Sequence, residues 1–168
     1  MKIDMDYTET DKYIFFYNSF FSQWAIRKMI IDDVEFNCCE QFMMAKKAKL
    51  FNDKDALEKI MKSSFPRDQK ALGRRVSNFN KEKWNEVCKE IVYNGNYAKF
   101  TQHNDLKLKL LETGDKIIVE ASPFDRIWGI GLGEKDERCL DPKKWRGTNW
   151  LGEAIMDVRN KIRKEEEF

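Results

Sequence analysis

The order of apolar and polar positions predicts a run of helices interrupted by a few short strands. β-Branched and aromatic residues are concentrated in residues 12–18 and 24–37, and Asp32-Asp33 stands where the second stretch would turn as a hairpin. The apolar run KIIVEAS, residues 116–122, predicts one more strand, of the buried type. Most remaining apolar residues recur every three or four positions, so we expect a mainly α domain with a small β-sheet (α+β).

Six helices follow from this spacing and from the residues at their ends. Asp53 and Asn80 suit N-cap positions, and Pro66 suits a first helical turn. The predicted helices span residues 39–51, 53–63, 66–75, 81–102, 104–112 and 149–164. No linker or repeat divides the chain, so we expect a single domain over 1–168, with flexible ends near 1–11 and 164–168.

The first predicted helix places two charged residues in its apolar stripe. Four apolar residues lie within roughly 80° of Glu40 on the helical wheel: Met43, Met44, Leu50 and Phe51. Lys47, seven residues later, lies only about 20° from Glu40. The two are roughly 10.5 Å apart along the axis, too far for a direct surface pair. Either each meets a partner from another element, or both line a ligand pocket. Lys46 and Lys49 point to the opposite side, where a solvated face is expected, and Phe42 points there as the one apolar exception.

Composition argues against several kinds of function: general nucleic-acid binding, membrane association and metal chemistry. The chain of 168 residues has a net charge of +2, too small for a general attraction to nucleic acid. Its first residues are polar and no apolar run approaches a membrane span, so we expect a cytoplasmic protein without membrane partners. Four cysteines form no C-x-x-C pair and His103 is the sole histidine, so we predict reduced cysteines, no metal and no cofactor.

Two further segments carry candidate binding residues. Arg67, Lys70 and Arg74 share one face of the third helix and could hold a phosphate, unless they form an ordinary solvated face. The segment VEASPFDRIWGIGLGEKD has alternating glycines that lack the dinucleotide-binding spacing. Such glycines allow close backbone approach to a flat ligand beside Trp128, and a tight structural loop around a core tryptophan explains them equally well.

Seven fragments in order along the chain resemble the NADAR family of YbiA-like N-glycosidases. They are FFSQW, EQFMMAKKAKLF, LGRRV, KWNEVCKEIV, AKFTQ, LLETGDKIIVEASPFDRIWGIGL and GTNWLGEAIMDVR. The resemblance extends from about Tyr13 to Arg163. It implies an enzyme that hydrolyses the C1′–N bond of a ribosylated or ADP-ribosylated base, either ADP-ribosylated guanine or a ribosylamino-pyrimidine phosphate of riboflavin biosynthesis. The substrate base could be a free nucleotide or part of DNA or RNA.

The resemblance also assigns roles to individual residues. Lys47 is expected to form a Schiff base with the ribose, and Glu40 and Asp125 are expected to stabilise charge or transfer protons. The expected substrate-binding residues are Trp84, Trp128, Arg74, Gly129, Gly131 and Asn149. Two positions depart from the family pattern: Gln23 stands where Asn is common, and Ile130 where the riboflavin-linked members have an acid. The alternative function is a non-catalytic module that binds ADP-ribose or a nucleotide.

Overall fold

The computed structural model describes residues 5–167, which form two compact units. One unit contains the chain up to Ser22 together with the chain from His103 onward, and the other contains Gln23–Gln102. We call them the terminal unit and the central unit. In chain order the elements are β1 (Tyr7–Glu9), β2 (Tyr13–Phe16), β3 (Met29–Ile31), β4 (Val34–Phe36), α1 (Cys39–Leu50), α2 (Lys54–Lys62), α3 (Pro66–Arg74), α4 (Lys81–Gln102), α5 (Asn104–Glu112), β5 (Ile117–Glu120) and α6 (Trp150–Glu166).

The terminal unit is built on a three-stranded sheet in the order β1-β2-β5. β1 is antiparallel to β2, and β2 is parallel to β5, with Phe15 opposite Val119. α6 packs on β5, where a Cβ on Gly152 would lie 2.1 Å from the carbonyl oxygen of Ile118. Only a glycine allows this close approach of helix and strand. Two short 3₁₀ helices, Glu137–Leu140 and Pro142–Lys144, follow the loop after β5.

The central unit is arranged around α1, which packs against α2, α3 and α4. A Cβ on Gly73 of α3 would lie 2.0 Å from Sδ of Met44, and one on Gly95 of α4 would lie 3.1 Å from the Phe42 ring. These glycines let two neighbouring helices approach α1 closely. The β3–β4 hairpin completes the unit and turns at Asp32 and Asp33, both with positive φ.

The fold class and most element positions are confirmed. The molecule has six α-helices and two small sheets among its described residues, so the mainly α domain with a small sheet is correct. Asp53 accepts a hydrogen bond from the Ala56 N–H at 3.0 Å, and Asn80 accepts one from the Lys83 N–H at 3.0 Å. Both predicted N-caps therefore form, because each side chain satisfies a backbone donor left over at a helix start.

Three local predictions differ from the structure. The far side of α1 is not a solvated face at Phe42, which is 2% exposed and contacts the Phe36 ring edge to face at 5.1 Å. Helices and the hairpin cover α1 on several sides, so a one-stripe pattern underestimates its burial. The strand-forming stretch predicted over 24–37 forms the expected hairpin, but its strands are limited to β3 and β4, and the two 3₁₀ helices were not predicted.

The chain ends were predicted to be flexible near 1–11 and 164–168. Residues 1–4 and 168 lie outside the described residues. Within the described part, Tyr7–Glu9 pair with β2, and α6 extends to Glu166. Sequence patterns miss such a short edge strand because three residues give too little period to recognise.

Candidate active site

The predicted site residues fall into two groups, one in each unit. Glu40, Lys47, Arg74 and Trp84 lie in the central unit, together with Phe79, and we call these five residues the Lys47 group. The remaining predicted residues lie in the terminal unit: Asp125, Trp128, Gly129, Gly131 and Asn149. We call residues 123–133 the Asp125 loop.

Two aromatic rings surround the amine of Lys47. Its Nζ lies 4.6 Å from the ring centroid of Phe79 and 5.8 Å from that of Trp84. Trp84 is 9% exposed on α4, whereas Lys47 is half-buried on α1. The rings remove the amine from bulk water on one side and leave it partly accessible, which is the environment that an amine nucleophile requires.

The surroundings of Lys47 lower the pKa of its amine. Burial has the largest effect because it disfavours the ammonium form, and the positive charge of Arg74 acts in the same direction. The negative charge of Glu40 opposes both by favouring the ammonium form. The net result is a larger fraction of neutral amine at a given pH than an exposed lysine has.

Glu40 is buried in the first turn of α1. It is 6% exposed, and its backbone N–H donates to the carbonyl oxygen of Gln23 at 3.0 Å. A carboxylate at this position is favoured by the positive end of the helix dipole. The charge at the start of α1 and the amine of Lys47 two turns later interact electrostatically.

A basic face lies next to this group on α3. Arg74 is exposed, and Lys70 lies with its Nζ 5.9 Å from the ring centroid of Trp24. Arg67 contacts Asp68 at 3.9 Å, but both side chains are more than half exposed, so this pair contributes little. Of the residues on this face, Arg74 is the one whose positive charge lowers the pKa of Lys47.

Asp125 organises the loop that bears its name. Its Oδ1 accepts hydrogen bonds from the N–H groups of Ile127, at 2.9 Å, and Trp128, at 2.8 Å. Its Oδ2 makes no hydrogen bond with the described residues and is left for other partners. The Trp128 ring is half-buried and meets the Trp150 ring edge to face at 5.6 Å. The loop thus holds one carboxylate and one tryptophan in fixed positions.

The glycines of this loop are required by close backbone packing. A Cβ on Gly129 would lie 2.9 Å from the Glu120 carbonyl oxygen. Gly131 has a φ of +69°, which side chains rarely adopt. Gly147 belongs to the same arrangement, because its Cβ would lie 2.3 Å from the Gly129 carbonyl oxygen. Gly129 and Gly131 therefore serve loop packing, the structural explanation that the sequence left open beside ligand approach.

Asn149 joins β5, the Asp125 loop and α6. Its side chain accepts from the Glu120 N–H at 3.0 Å and donates to the Ile118 carbonyl oxygen at 3.0 Å. Its backbone N–H donates to the Gly129 carbonyl oxygen at 3.1 Å. The residue is 2% exposed with a φ of 54°. Both ends of its side-chain amide bond to the backbone of β5, so within this unit Asn149 holds the loop in place.

The other nucleophilic and titratable groups are poorly placed for chemistry. The four cysteines are free and buried, and burial raises the pKa of the Cys38 thiol to about 12. Lys99 also has a lowered pKa through burial, but its side chain is fully buried, whereas that of Lys47 is partly accessible. Across residues 5–167, no cluster of three metal-ligating side chains occurs, and no helix has the length and hydrophobicity needed to cross a membrane.

Two residues beside these groups were not identified from the sequence. Phe79 lies in the segment between α3 and α4, where no periodicity points to a role. Glu120 ends β5, and its Oε2 would lie 3.2 Å from a Cβ on Gly129. An acid at the carboxyl end of a buried parallel strand is a recognisable signal, because ligand sites in α/β sheets often lie there.

Comparison with known proteins identifies relatives over nearly the whole chain. The chain is 45% identical over 164 residues to the N-glycosidase R617 of Acanthamoeba polyphaga mimivirus, covering 90% of this chain and 96% of that protein. It is 42% identical over 138 residues to Protein irg-1 of Caenorhabditis elegans, covering 80% of this chain and 65% of that protein. The NMR structure of the E. coli protein YbiA superimposes with a TM-score of 0.77 at 26% identity, over 96% of this chain and 91% of that one.

The family model of the NADAR domain matches residues 7–163 and so includes both units and all nine predicted site residues. N-glycosidase is also the name of relatives near 30% identity. The order of the seven sequence fragments, the fold and the family match agree, and the chain belongs to the NADAR family.

Proposed function

We propose that this protein hydrolyses the C1′–N bond between a ribosyl group and a nucleobase, with Lys47 as the nucleophile. The general activity, hydrolysis of an N-glycosyl bond, is that of the N-glycosidases to which the chain is similar. The observation that carries the proposal is the half-buried amine of Lys47, whose pKa is lowered by burial and which lies beside the rings of Phe79 and Trp84. A pure binding module has no evident use for such an amine.

The covalent mechanism begins with attack by the neutral amine. The nitrogen lone pair of Lys47 bonds to C1′, and the C1′–N bond to the base breaks with its electron pair on the leaving nitrogen, which takes up a proton. The C1′–O4′ bond then opens to give a protonated Schiff base and a free 4′-hydroxyl. Water adds to this imine, releases the ribose aldehyde and returns the lysine, so that one water is consumed overall.

Glu40 and Asp125 are the proposed carboxylates of the reaction. Cleavage of a glycosidic bond develops positive charge at the anomeric carbon, and a nearby carboxylate stabilises it. Glu40 is suited to this role in the central unit because its charge interacts with the Lys47 amine. Asp125 is the second candidate, since Oδ1 fixes the carboxylate while Oδ2 is left for proton transfer.

The remaining proposed roles concern substrate binding. The ring of Trp84 lies beside the Lys47 amine and is proposed to contact the substrate there. In the terminal unit, the ring of Trp128 is proposed to stack on a nucleobase. Arg74 is proposed to bind phosphate, which suits its exposed and planar guanidinium. Asn149, Gly129 and Gly131 act by shaping the Asp125 loop.

ADP-ribosylated guanine is the first substrate to test, and a ribosylamino-pyrimidine phosphate is the second. The riboflavin-linked members have an acid where this chain has Ile130, and Ile130 is a fully buried residue of the hydrophobic core. It therefore offers no charge to a substrate. Both candidates contain the C1′–N bond that this mechanism breaks, and both carry at least one phosphate that Arg74 could bind.

Purified protein incubated with each substrate, with and without borohydride, tests the proposal. Mass spectrometry should detect the free base and, with borohydride, a secondary amine formed by reduction of the imine on Lys47. The exposed Lys49 on the same helix is the internal control and should stay unmodified.

Each other outcome has a defined meaning. Release of base without an adduct would keep the N-glycosidase and replace the covalent step by direct attack of water. Cleavage of neither substrate, together with binding of ADP-ribose, would favour the binding module.

A further inference from the structure

Two amide side chains form a buried pair next to the start of α1. Asn96 on α4 is fully buried, and Gln23, half-buried, precedes the hairpin in the chain. Asn96 Nδ2 lies 2.8 Å from Oε1 of Gln23, and the Gln23 carbonyl oxygen accepts the Glu40 N–H at 3.0 Å. Both the backbone and the side chain of Gln23 are therefore fixed beside Glu40.

A backbone carbonyl determines the orientation of both amides. The side-chain amide of Asn96 also lies 2.8 Å from the carbonyl oxygen of Val92. A carbonyl oxygen can only accept, so the Asn96 atom that faces it must be the nitrogen. Because the same nitrogen faces Gln23, the Gln23 atom that it meets must be the oxygen. The NH₂ of Gln23 consequently points away from Asn96.

This NH₂ has no strong acceptor in the part of the chain that the structure describes. Among the described residues its partner is Sδ of Met43 at 3.9 Å, and a thioether is a weak acceptor. Met43 lies on the stripe of α1 one turn after Glu40 and one turn before Lys47. Two N–H donors are thus held alongside the segment of α1 between the two groups that act on C1′.

We propose that Gln23 donates from Nε2 to a hydroxyl oxygen of the ribosyl group of the substrate, and that Asn96 is the positioning residue that sets this orientation. The inference rests on the proposed function, in which Lys47 and Glu40 act at C1′. The ribosyl ring must then lie along this segment of α1, and its hydroxyl oxygens are acceptors of the required kind. Gln23 thereby determines specificity for ribosyl over deoxyribosyl substrates.

The variant Gln23→Met tests the contact, because methionine is similar in length and removes the donor. We would measure kcat and KM for the ribosyl substrate and for its 2′-deoxy and 3′-deoxy counterparts. The variant should raise KM for the ribosyl substrate about three- to tenfold, the value of one hydrogen bond, and change kcat less than about twofold. For the counterpart that lacks the contacted hydroxyl, the variant and the wild type should have the same KM.

Two further variants separate positioning from general packing. Asn96→Ala keeps Gln23 but frees its amide, and should reduce the preference for the ribosyl substrate in the same direction. Gln102→Ala is the matched control on α4, since the Gln102 amide bonds to the Ile30 backbone at 2.9 and 2.7 Å. It should leave the preference unchanged.

The ratio of KM values does not depend on how much protein folds. An unchanged ratio in Gln23→Met would overturn the inference and make the amide pair a structural tie. Wild-type protein that treats the ribosyl and both deoxyribosyl substrates alike would overturn it without any variant. Wild-type protein that cleaves none of them would instead refute the proposed function.

Discussion

The Lys47 group and the Asp125 loop hold candidate catalytic groups by different means. Around Lys47, side chains from α1, α3 and α4 set the properties of one amine through burial, ring contact and charge. In the Asp125 loop, hydrogen bonds from backbone N–H groups to Asp125 and close packing at glycines fix the chain itself. The first region tunes a chemical property, whereas the second determines a position.

This difference predicts how each region responds to change. In the Lys47 group a substitution of Lys47 or Arg74 should alter rate or pH dependence with little loss of stability, because Lys47 is half-buried and Arg74 is exposed. In and around the Asp125 loop a methyl group added at Gly129 or Gly152 should destabilise the terminal unit, because the nearest atoms are backbone carbonyl oxygens that cannot move aside.

The largest expected effect is on catalysis. Lys47→Ala should lower kcat by about 10²–10⁴, the usual contribution of a group that acts covalently or transfers protons. Steady-state assays of base release would measure it. Lys49→Ala, an exposed lysine on the same helix, is the control and should keep kcat within about twofold. A loss of less than tenfold for Lys47→Ala would remove it from the mechanism.

The next effect is on stability in the terminal unit. Gly152→Ala places a Cβ 2.1 Å from the Ile118 carbonyl oxygen, so α6 must move away from β5. The free energy of unfolding should fall by on the order of 2–4 kcal/mol, as measured by chemical denaturation. Gly133→Ala is the control, since nothing lies within 4 Å of its Cβ position. Equal stability of the two variants would contradict the assigned packing.

The smallest effect is on pH dependence. Arg74 lowers the pKa of Lys47, so Arg74→Met should raise it. Less neutral amine would then be present at a given pH, and the rising limb of kcat against pH should move to higher pH. The exposed Arg75 provides the control variant Arg75→Met, and added salt should reduce the shift.

Glu40→Gln sharpens the same test. Glu40 raises the pKa of Lys47, so removing its charge should lower that pKa and move the limb to lower pH. If the rising limbs of Arg74→Met and Glu40→Gln moved in the same direction, the titrating group would not be Lys47.

The sequence predicted the elements of the fold well where local rules operate. The Asp53 and Asn80 caps, the hairpin turn at Asp32-Asp33 and the α5 boundaries all follow from residue type and spacing. It failed for Phe42, because the burial of a helix face depends on which neighbours cover it. It also missed Phe79, whose contact with Lys47 arises from the packing of helices that are distant in sequence.

For the candidate site, the sequence by itself determined that Glu40 and Lys47 share one side of a helix, because seven residues make nearly two turns. Only the tertiary structure decided that Lys47 is half-buried with a lowered pKa while Lys49 is exposed. It alone decided that the amide of Asn149 is used by β5 and that the NH₂ of Gln23 points away from Asn96. Spacing follows from the backbone of one helix, whereas burial, charge and hydrogen-bond orientation depend on groups brought together from remote parts of the chain.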